Sequence, residues 1–170
     1  KEIIQLFEAR GTYFDSICRS ADELRQEMVG STVTYVVNRN INYTNICSFA
    51  CGFCSFAKGG GGYEQREKPY LRSIDEIVSL SQEAFESGAT EVCMQGGIHP
   101  AFTGHTYLTI CQSVKSNIPS LHIHAFSPLE INHGAKANGL SLEDFLFQLK
   151  ASGLATLPGT AAEILVDSVR

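Results

Sequence analysis

Short runs of β-forming residues alternate with amphipathic helical segments along most of this chain, and this alternation limits the fold more than any other feature. The predicted strands lie at residues 32–37, 91–95, 121–126 and, more briefly, 155–157. Helical segments of ten or more residues separate them, and strands joined by such crossovers pair in parallel. Since a complete eight-unit barrel needs about 250 residues, we predict an α/β fold: a partial (β/α) TIM-type barrel, an N-terminal fragment of about four βα units.

Capping signals and apolar spacing indicate where the helices begin. Ser73 and Glu76 have the spacing of a capping box, and Ser141 precedes another helical pattern. Thr160 and Glu163 repeat the capping-box spacing near the end of the chain. Before residue 31 the pattern predicts one or two helices, so we expect a helical extension at residues 1–30 and the barrel core at 31–170.

Charge and composition exclude several classes of partner. The net charge is −5, from 13 basic and 18 acidic residues, with no basic cluster, so neither nucleic acid nor a membrane is an expected partner. No apolar run is long enough to span a bilayer. Three of the six cysteines lie within eight residues, which favours a metal site over disulfides. We therefore expect a reducing, cytoplasmic compartment, or an organelle if a leader has been removed.

The three clustered cysteines are Cys47, Cys51 and Cys54, in a loop after the first predicted strand. Thiolates are ligands for zinc or for iron–sulfur clusters. A structural zinc site normally takes two short Cys/His pairs that are far apart in sequence, and no second pair follows here. Three thiolates on a four-iron cluster would leave one iron without a protein ligand.

This spacing, with Phe53 just before the last cysteine, resembles the signature of the radical S-adenosylmethionine superfamily. The resemblance implies a [4Fe-4S] cluster on the three cysteines, with S-adenosyl-L-methionine as cosubstrate on the free iron. It also implies contacts to that cosubstrate from Phe53 and from the Gly-rich end of the second strand, which comprises Gln95, Gly96 and Gly97.

Further blocks narrow the resemblance: NYTNIC from Asn42, MQGGIHP from Met94, HIHAFSPLEI from His122 and LPGTAAEIL from Leu157. Together they are similar to the FO synthase subunit 2 family, the 5-amino-6-(D-ribitylamino)uracil–L-tyrosine 4-hydroxyphenyl transferases of deazaflavin coenzyme biosynthesis. Membership implies that a 5′-deoxyadenosyl radical takes hydrogen from the amino group of L-tyrosine. The Cα–Cβ bond then breaks, and the 4-hydroxybenzyl group joins the diaminouracil. A one-electron donor and a second radical enzyme, which closes the ring, are the implied partners.

The remaining polar residues allow more than one interpretation. His122 and His124 point to one face of a strand and are expected to line the substrate pocket, although metal ligation in a barrel hydrolase or plain core packing would also fit. Tyr43, Ser127 and Glu130 are further pocket candidates. Glu163 either contacts the cosubstrate or only caps its helix. The sequence assigns no catalytic acid or base.

Besides the barrel hydrolase, two alternatives to the transferase stay open at this point. The nearest is a radical enzyme of the menaquinone pathway, acting on aminofutalosine or dehypoxanthine futalosine, because that group shares the same sequence blocks. The other belongs to a different class, a zinc-binding module without catalysis, in which the cysteines would hold zinc.

Overall fold

A computed structural model of the chain describes residues 2–49, 54, 57 and 68–159. The chain divides into two compact units, Lys1–Tyr35 and Val36–Arg170. The first unit contains helices α1 (Glu2–Glu8) and α2 (Thr12–Val29), in agreement with the helical pattern of the sequence. The boundary at residue 30 stays a prediction.

The second unit is built on a three-stranded parallel sheet in the order β1-β2-β3. The strands are β1 (Asn38–Asn42), β2 (Glu91–Gln95) and β3 (His122–Ala125). Helix α3 (Ile74–Glu86) connects β1 to β2, and α4 (Gly104–Asn117) connects β2 to β3. After β3 come α5 (Pro128–Ala137) and α6 (Leu142–Ala151). Parallel strands with helical crossovers confirm the predicted α/β class.

The hydrophobic core lies between one face of the sheet and the helices. Alternate strand residues supply its sheet side, and all of them are buried: Ile41, Val92, Met94, Ile123 and Ala125. The apolar stripes of the helices supply the other side, with Ile77 from α3 and Tyr107, Ile110 and Val114 from α4. The opposite face of the sheet is therefore free to carry polar groups.

Two helices begin where the sequence predicts. At α3, the Ser73 hydroxyl accepts from the Glu76 amide (3.2 Å), while the Glu76 carboxylate accepts from the Ser73 amide (2.7 Å). These two bonds satisfy donors that the first turn of a helix would leave unpaired. At α6, the Ser141 hydroxyl accepts from the Asp144 amide at 3.1 Å. The helix predicted from Thr160 lies outside the described residues. No helix within the described ranges is both long and apolar enough to cross a membrane.

The first strand lies later in the sequence than predicted. Residues 32–37 are rich in β-branched residues, yet they form no strand, and Val33 and Tyr35 stay 87% and 85% exposed. The strand is the following segment, Asn38–Asn42, which pairs along its length with β2. The β propensity of residues 32–37 does not decide the outcome, because a strand also needs a neighbouring strand to pair with and an apolar side chain on the face that packs against the core. Ile41 provides that side chain in β1.

The prediction for the last part of the chain also needs correction. The third strand is shorter than residues 121–126, and of the predicted fourth strand only one parallel bridge is present, between His124 and Thr156. Within the described residues the sheet therefore has three strands rather than four. Helix α5 is absent from the prediction, which gives no helix between the third strand at 121–126 and the helical pattern that follows Ser141. Proline is in fact well suited to the first turn of a helix.

Candidate functional site

One face of the sheet carries polar or ionisable side chains at every position, and we call it the polar face. None of its residues is buried: Asn38, Asn40, Asn42, Glu91, Cys93, Gln95, His122 and His124. The strand register aligns them in rows, so that Asn40, Cys93 and His124 are neighbours across the sheet. In parallel α/β folds the ligand site lies at the carboxyl ends of the strands. The polar face extends to that edge of the sheet, where Asn42 and Gln95 are the last residues of their strands.

The loop that contains the cysteines is closed at its base by two buried polar residues. Thr44 donates its hydroxyl to the Tyr70 carbonyl at 2.8 Å. The Asn45 side chain donates to the Lys68 carbonyl at 3.0 Å and accepts from the Tyr70 amide at 2.8 Å. Both residues are fully buried. They join the chain before the cysteines to the chain after them, which fixes where the loop begins and ends.

Cys47 is held against the turn that follows β2. Its sulfur accepts from the backbone N–H of Ile98 at 3.3 Å and from that of Phe49 at 3.4 Å. The neighbouring Ser48 donates its amide (2.8 Å) and its hydroxyl (3.0 Å) to the Ile98 carbonyl. Hydrogen bonds to the sulfur are one way in which a protein orients a metal-bound thiolate and adjusts its properties. The sulfur of Cys47 is thus oriented before any metal binds.

At Gly96 and Gly97 there is no room for a side chain, because residues 43–47, which lead to and include Cys47 (the cysteine segment), pack directly against them. A Cβ on Gly96 would overlap the Tyr43 ring, lying 2.7 Å from its Cζ atom. A Cβ on Gly97 would overlap the Ile46 carbonyl and lie 2.9 Å from the Cys47 Cβ atom. The Gly97 amide also donates to the Thr44 carbonyl at 2.9 Å. Close packing under the cysteine segment therefore requires both glycines.

Replacing Gly97 by alanine is expected to displace Cys47 and to weaken cluster binding by the protein. The added methyl group meets backbone atoms of Ile46, which cannot rotate away, so the overpacking should cost about 1–3 kcal/mol. Iron content after anaerobic reconstitution and the free energy of unfolding in urea both report the effect. Gly159→Ala is the matched control for stability, because nothing lies within 4 Å of its added Cβ. Equal iron content and stability in both variants would contradict the packing argument.

Glu130 connects the ends of the three strands. Its Oε1 atom accepts from the Tyr43 hydroxyl and, at 3.1 Å, from the Gly96 amide. Its Oε2 atom accepts from the amide and from the hydroxyl of Ser127, each at 2.7 Å. The side chain is fully buried. One carboxyl group therefore ties the segment after β1 to the turn after β2 and to the start of α5.

Burial raises the pKa of Glu130 to about 8, although the N–H groups of Ser127 and Gly96 act in the opposite direction. The network suits both protonation states. When the carboxyl is ionised, four donors face it; when it is protonated, its O–H can donate to a hydroxyl oxygen, since hydroxyls accept as well as donate.

The turn from β3 into α5 has an unusual backbone. Phe126 has a φ of 66°, in the left-handed region that residues other than glycine rarely adopt. Its amide donates to the Met94 carbonyl at 2.9 Å, and its ring is fully buried. These contacts hold the strained residue in place, and the next residue, Ser127, is the N-cap of α5. The strain therefore positions Ser127 and Glu130 against Gly96.

His122 and His124 are held by a single hydroxyl group on the polar face. The Thr156 Oγ1 atom is 2.8 Å from Nε2 of His122 and 2.7 Å from Nδ1 of His124. The hydroxyl has one proton and two acceptor sites, so it can donate to at most one of the two rings. Glu91 lies 3.5 Å from the same Nε2 atom of His122. The Nε2 atom of His124 has no hydrogen-bond partner among the described residues.

Three predicted site residues, Cys51, Phe53 and Glu163, lie outside the described residues. Cys54 is exposed, and the residues on both sides of it, 50–53 and 55–56, lie outside the described residues. Tyr43 is fully buried, and its hydroxyl donates to Glu130. The sequence analysis missed Thr44 and Asn45 as the clamp of the loop. It also missed Ser127 and Glu130 as a capping box, although their S-x-x-E spacing is the signal used at Ser73.

The residues present fit an iron–sulfur cluster. Cys47 and Cys54 are free thiols, and Cys47 is already oriented by backbone donors. The Tyr107 hydroxyl, in the hydrophobic core, is buried and has no hydrogen-bond partner among the described residues. In the part of the chain that is described, no three His, Cys, Asp or Glu residues form a group that could hold a metal ion. The predicted third ligand, Cys51, lies outside that part.

Comparison with known proteins agrees with the fold. The profile of the Radical SAM superfamily matches residues 41–163. The FeFe-hydrogenase maturase HydG from Carboxydothermus hydrogenoformans superposes with a TM-score of 0.64 at 21% identity, over 89% of this chain and 32% of that protein. Methylornithine synthase (PylB) gives 0.57 at 16% identity, over 89% and 52%. At these identities the two structures support the fold alone. Because the family profile matches most of the chain, the chain belongs to the Radical SAM superfamily.

Closer relatives are found by sequence. The chain is 55% identical over 150 residues to the 5-amino-6-(D-ribitylamino)uracil–L-tyrosine 4-hydroxyphenyl transferase of Methanococcoides burtonii, covering 88% of the chain and 40% of that protein. It is 46% identical over 169 residues to the FO synthase of Streptomyces coelicolor, covering 99% and 19%. These relatives confirm the resemblance predicted from the sequence. The chain spans only about a fifth to two fifths of their length.

Proposed function

We propose that the chain forms the cluster-binding part of a transferase that couples the 4-hydroxybenzyl group of L-tyrosine to 5-amino-6-(D-ribitylamino)uracil. The observation that carries this proposal is the 55% identity to a relative that bears the corresponding name. Because the chain spans two fifths of that relative, the activity, the substrates and the partners of the whole protein all belong to the proposal.

Radical SAM proteins imply a four-iron cluster and S-adenosyl-L-methionine, and we assign the cluster to Cys47, Cys51 and Cys54. When bound, the cluster and its cosubstrate supply the electron transfer and carbon–sulfur cleavage that start radical chemistry. The protein's own contribution is orientation. The backbone N–H groups of Phe49 and Ile98 donate hydrogen bonds to the Cys47 sulfur and so fix its orientation. The cosubstrate contacts that we propose come from Phe53, Gln95, Gly96, Gly97 and Glu163.

The polar face is our candidate for substrate recognition. Its amide, carboxylate and imidazole groups suit the polar ring and ribityl hydroxyls of a diaminouracil and the charged end of tyrosine. His124 is the best-placed side chain for a substrate contact, since the Thr156 hydroxyl holds its Nδ1 atom and leaves Nε2 for a polar group of the substrate. Ser127 and Glu130 act beneath this surface, as positioning residues that hold the Gly96 turn. Tyr43 joins them through its hydroxyl.

The remaining assignments follow from the same proposal. A one-electron donor must reduce the cluster, and a second radical SAM activity must close the deazaflavin ring. The cytoplasm is the proposed compartment, because thiolate clusters persist where thiols stay reduced. The division into a helical extension at residues 1–30 and a barrel core at 31–170 is also part of the proposal.

The decisive experiment supplies L-tyrosine and the diaminouracil to the anaerobically reconstituted product of the complete gene, with S-adenosyl-L-methionine and a reductant. We expect a coupled 4-hydroxybenzyl adduct that depends on both substrates and incorporates label from ring-labelled tyrosine. Omitting the diaminouracil is the control for uncoupled cleavage of the cosubstrate. A reconstituted protein that cleaves S-adenosyl-L-methionine but forms no adduct would refute the substrate assignment and leave the family assignment intact.

A further inference from the structure

One threonine hydroxyl joins the two histidines of the polar face. The Thr156 Oγ1 atom lies 2.8 Å from Nε2 of His122 and 2.7 Å from Nδ1 of His124, and both distances are those of hydrogen bonds. A hydroxyl can donate its proton to one ring while it accepts a proton from the other. The three side chains therefore form a continuous hydrogen-bonded chain from one imidazole to the next.

Backbone hydrogen bonds to β3 fix the position of this hydroxyl. Thr156 forms a parallel bridge with His124. The Thr156 carbonyl accepts from the Ala125 amide at 3.0 Å, and the Thr156 amide donates to the Ile123 carbonyl at 3.3 Å. Thr156 is thus attached to the strand on both sides of His124. Because its main chain makes these bonds, the side chain can be replaced without removing them, and the role of the hydroxyl can be tested separately.

Glu91 lies at one end of this chain of side chains. Its Oε2 atom is 3.5 Å from Nε2 of His122, and its Oε1 atom is 3.5 Å from the side-chain nitrogen of Asn38. A protonated His122 is therefore paired with a carboxylate. Cys93 is the other titratable group of the polar face. Burial and, to a smaller extent, the charge of Glu91 raise the pKa of its thiol, so Cys93 adds no charge at neutral pH.

The other end of the chain is Nε2 of His124, which has no hydrogen-bond partner among the described residues. His124 is two residues nearer than His122 to the carboxyl end of β3, which corresponds to about 6–7 Å along the strand. That end is the edge at which parallel α/β folds bind their ligands. Nε2 of His124 is thus the atom of this network that is best placed to meet a substrate.

Chemistry at the amino group of L-tyrosine needs a base. An α-amino group is largely protonated at neutral pH, and the nitrogen of an ammonium group has no lone pair. Loss of a proton gives the neutral amine, from which a hydrogen atom can then leave without creating a radical cation. Histidine is the side chain whose neutral form is common at this pH, and the polar face carries two histidines on one hydroxyl.

We propose that His124 accepts a proton from the ammonium group of the amino acid substrate, and that Thr156 is a positioning residue that relays the charge to His122. This inference rests on the proposed function and adds a base to it. One N–H bond of the ammonium group breaks, its electron pair stays on nitrogen, and the proton binds to Nε2 of His124. His124 passes its Nδ1 proton to the Thr156 hydroxyl. The hydroxyl passes its own proton to Nε2 of His122, and the positive charge ends beside the Glu91 carboxylate.

The test compares two substitutions of Thr156 in the anaerobically reconstituted product of the complete gene, assayed for the coupled adduct. Thr156→Val keeps the shape of the side chain and removes the hydroxyl, whereas Thr156→Ser keeps the hydroxyl. We expect kcat to fall by about tenfold or more in Thr156→Val with little change in KM, and Thr156→Ser to retain most of the activity. Thr109→Val is the matched control, because it removes a hydroxyl beside another histidine, His105 in α4, and its kinetics should be unchanged.

His124→Gln completes a double-mutant cycle. This substitution removes the base, and we expect kcat to fall by about a hundredfold or more. Thr156→Val should cause no further loss in this background, because the hydroxyl acts through His124. Losses that multiply in the double variant would overturn the relay. So would wild-type kinetics in Thr156→Val, an effect on KM alone, or equal losses in Thr156→Val and Thr156→Ser.

A measurement without substrate separates the relay from the substrate assignment. Nitrogen-15 NMR of the histidine rings, in the same complete protein, follows the protonation of His122 and His124 with pH. Two rings that share one hydroxyl should titrate as a coupled pair in the wild type and in Thr156→Ser, and independently in Thr156→Val. Identical titrations in the wild type and Thr156→Val would overturn the relay. A wild type with coupled histidines that forms no adduct would refute the substrate assignment, and with it the ammonium group as proton source, while the histidine pair would stand.

Discussion

Cys47→Ala is expected to abolish the binding of a four-iron cluster and, with it, all reductive cleavage of S-adenosyl-L-methionine. If three thiolates hold the cluster, this substitution leaves only two. The backbone N–H groups of Phe49 and Ile98 that point at the Cys47 sulfur are donors, and donors do not bind iron. The measurements are iron and sulfide content after anaerobic reconstitution, visible absorption, and formation of 5′-deoxyadenosine.

Cys18→Ala is the matched control, since Cys18 is an exposed free thiol in α2. It should retain the iron content and cleavage rate of the wild type. Retention of a four-iron cluster by Cys47→Ala would contradict the ligand assignment. A colourless wild-type protein that binds one zinc ion, lost in Cys47→Ala, would instead favour the zinc-binding module.

Glu130→Leu is expected to destabilise the second unit by about 3 kcal/mol or more. The substitution removes the acceptor of the Gly96 and Ser127 amides, which belong to half-buried residues, and leaves both N–H groups without that partner, at about 1 kcal/mol or more each. The Tyr43 hydroxyl loses its acceptor as well. Urea denaturation measures the change, with Glu143→Gln as the control, because Glu143 is exposed in the first turn of α6.

Glu130→Gln gives a sharper test of the same network. Each oxygen of Glu130 accepts from one backbone N–H, so the NH₂ group of glutamine must face an N–H, whichever way it is turned. We expect a loss of about 1–3 kcal/mol from that one unpaired donor. A variant as stable as the wild type would show that the two amides do not need the carboxyl group.

The pH dependence of stability should also change in Glu130→Gln. The pKa of Glu130 is raised from 4.5 to about 8 by burial, so between these values the folded state holds a proton that the unfolded state has released. The contribution of Glu130 to stability is therefore complete below pH 4.5 and is lost as the pH rises through about 8. In this window it lowers the unfolding free energy by up to about 1.4 kcal/mol per pH unit. The glutamine variant should lack this slope.

Tertiary contacts explain where the sequence-based predictions were wrong. The segment 32–37 has the better strand composition, but β1 forms at Asn38–Asn42 because only that segment places Ile41 in the core while pairing with β2. Asparagine is rare in strands, so the asparagines at alternate positions of β1 give this segment a low β propensity. They are tolerated because they lie on the polar face.

The sequence by itself determined the parallel α/β class, the helix starts at Ser73 and Ser141, and the cysteine spacing that identifies the superfamily. These features are local: capping and ligand spacing depend on residues a few positions apart. Only the tertiary structure decided that Glu130 accepts from Tyr43 and Gly96, residues 87 and 34 positions away. It alone also decided that the Tyr107 hydroxyl is left unpaired. Such contacts depend on how distant strands pair and pack, and no short segment of sequence encodes that information.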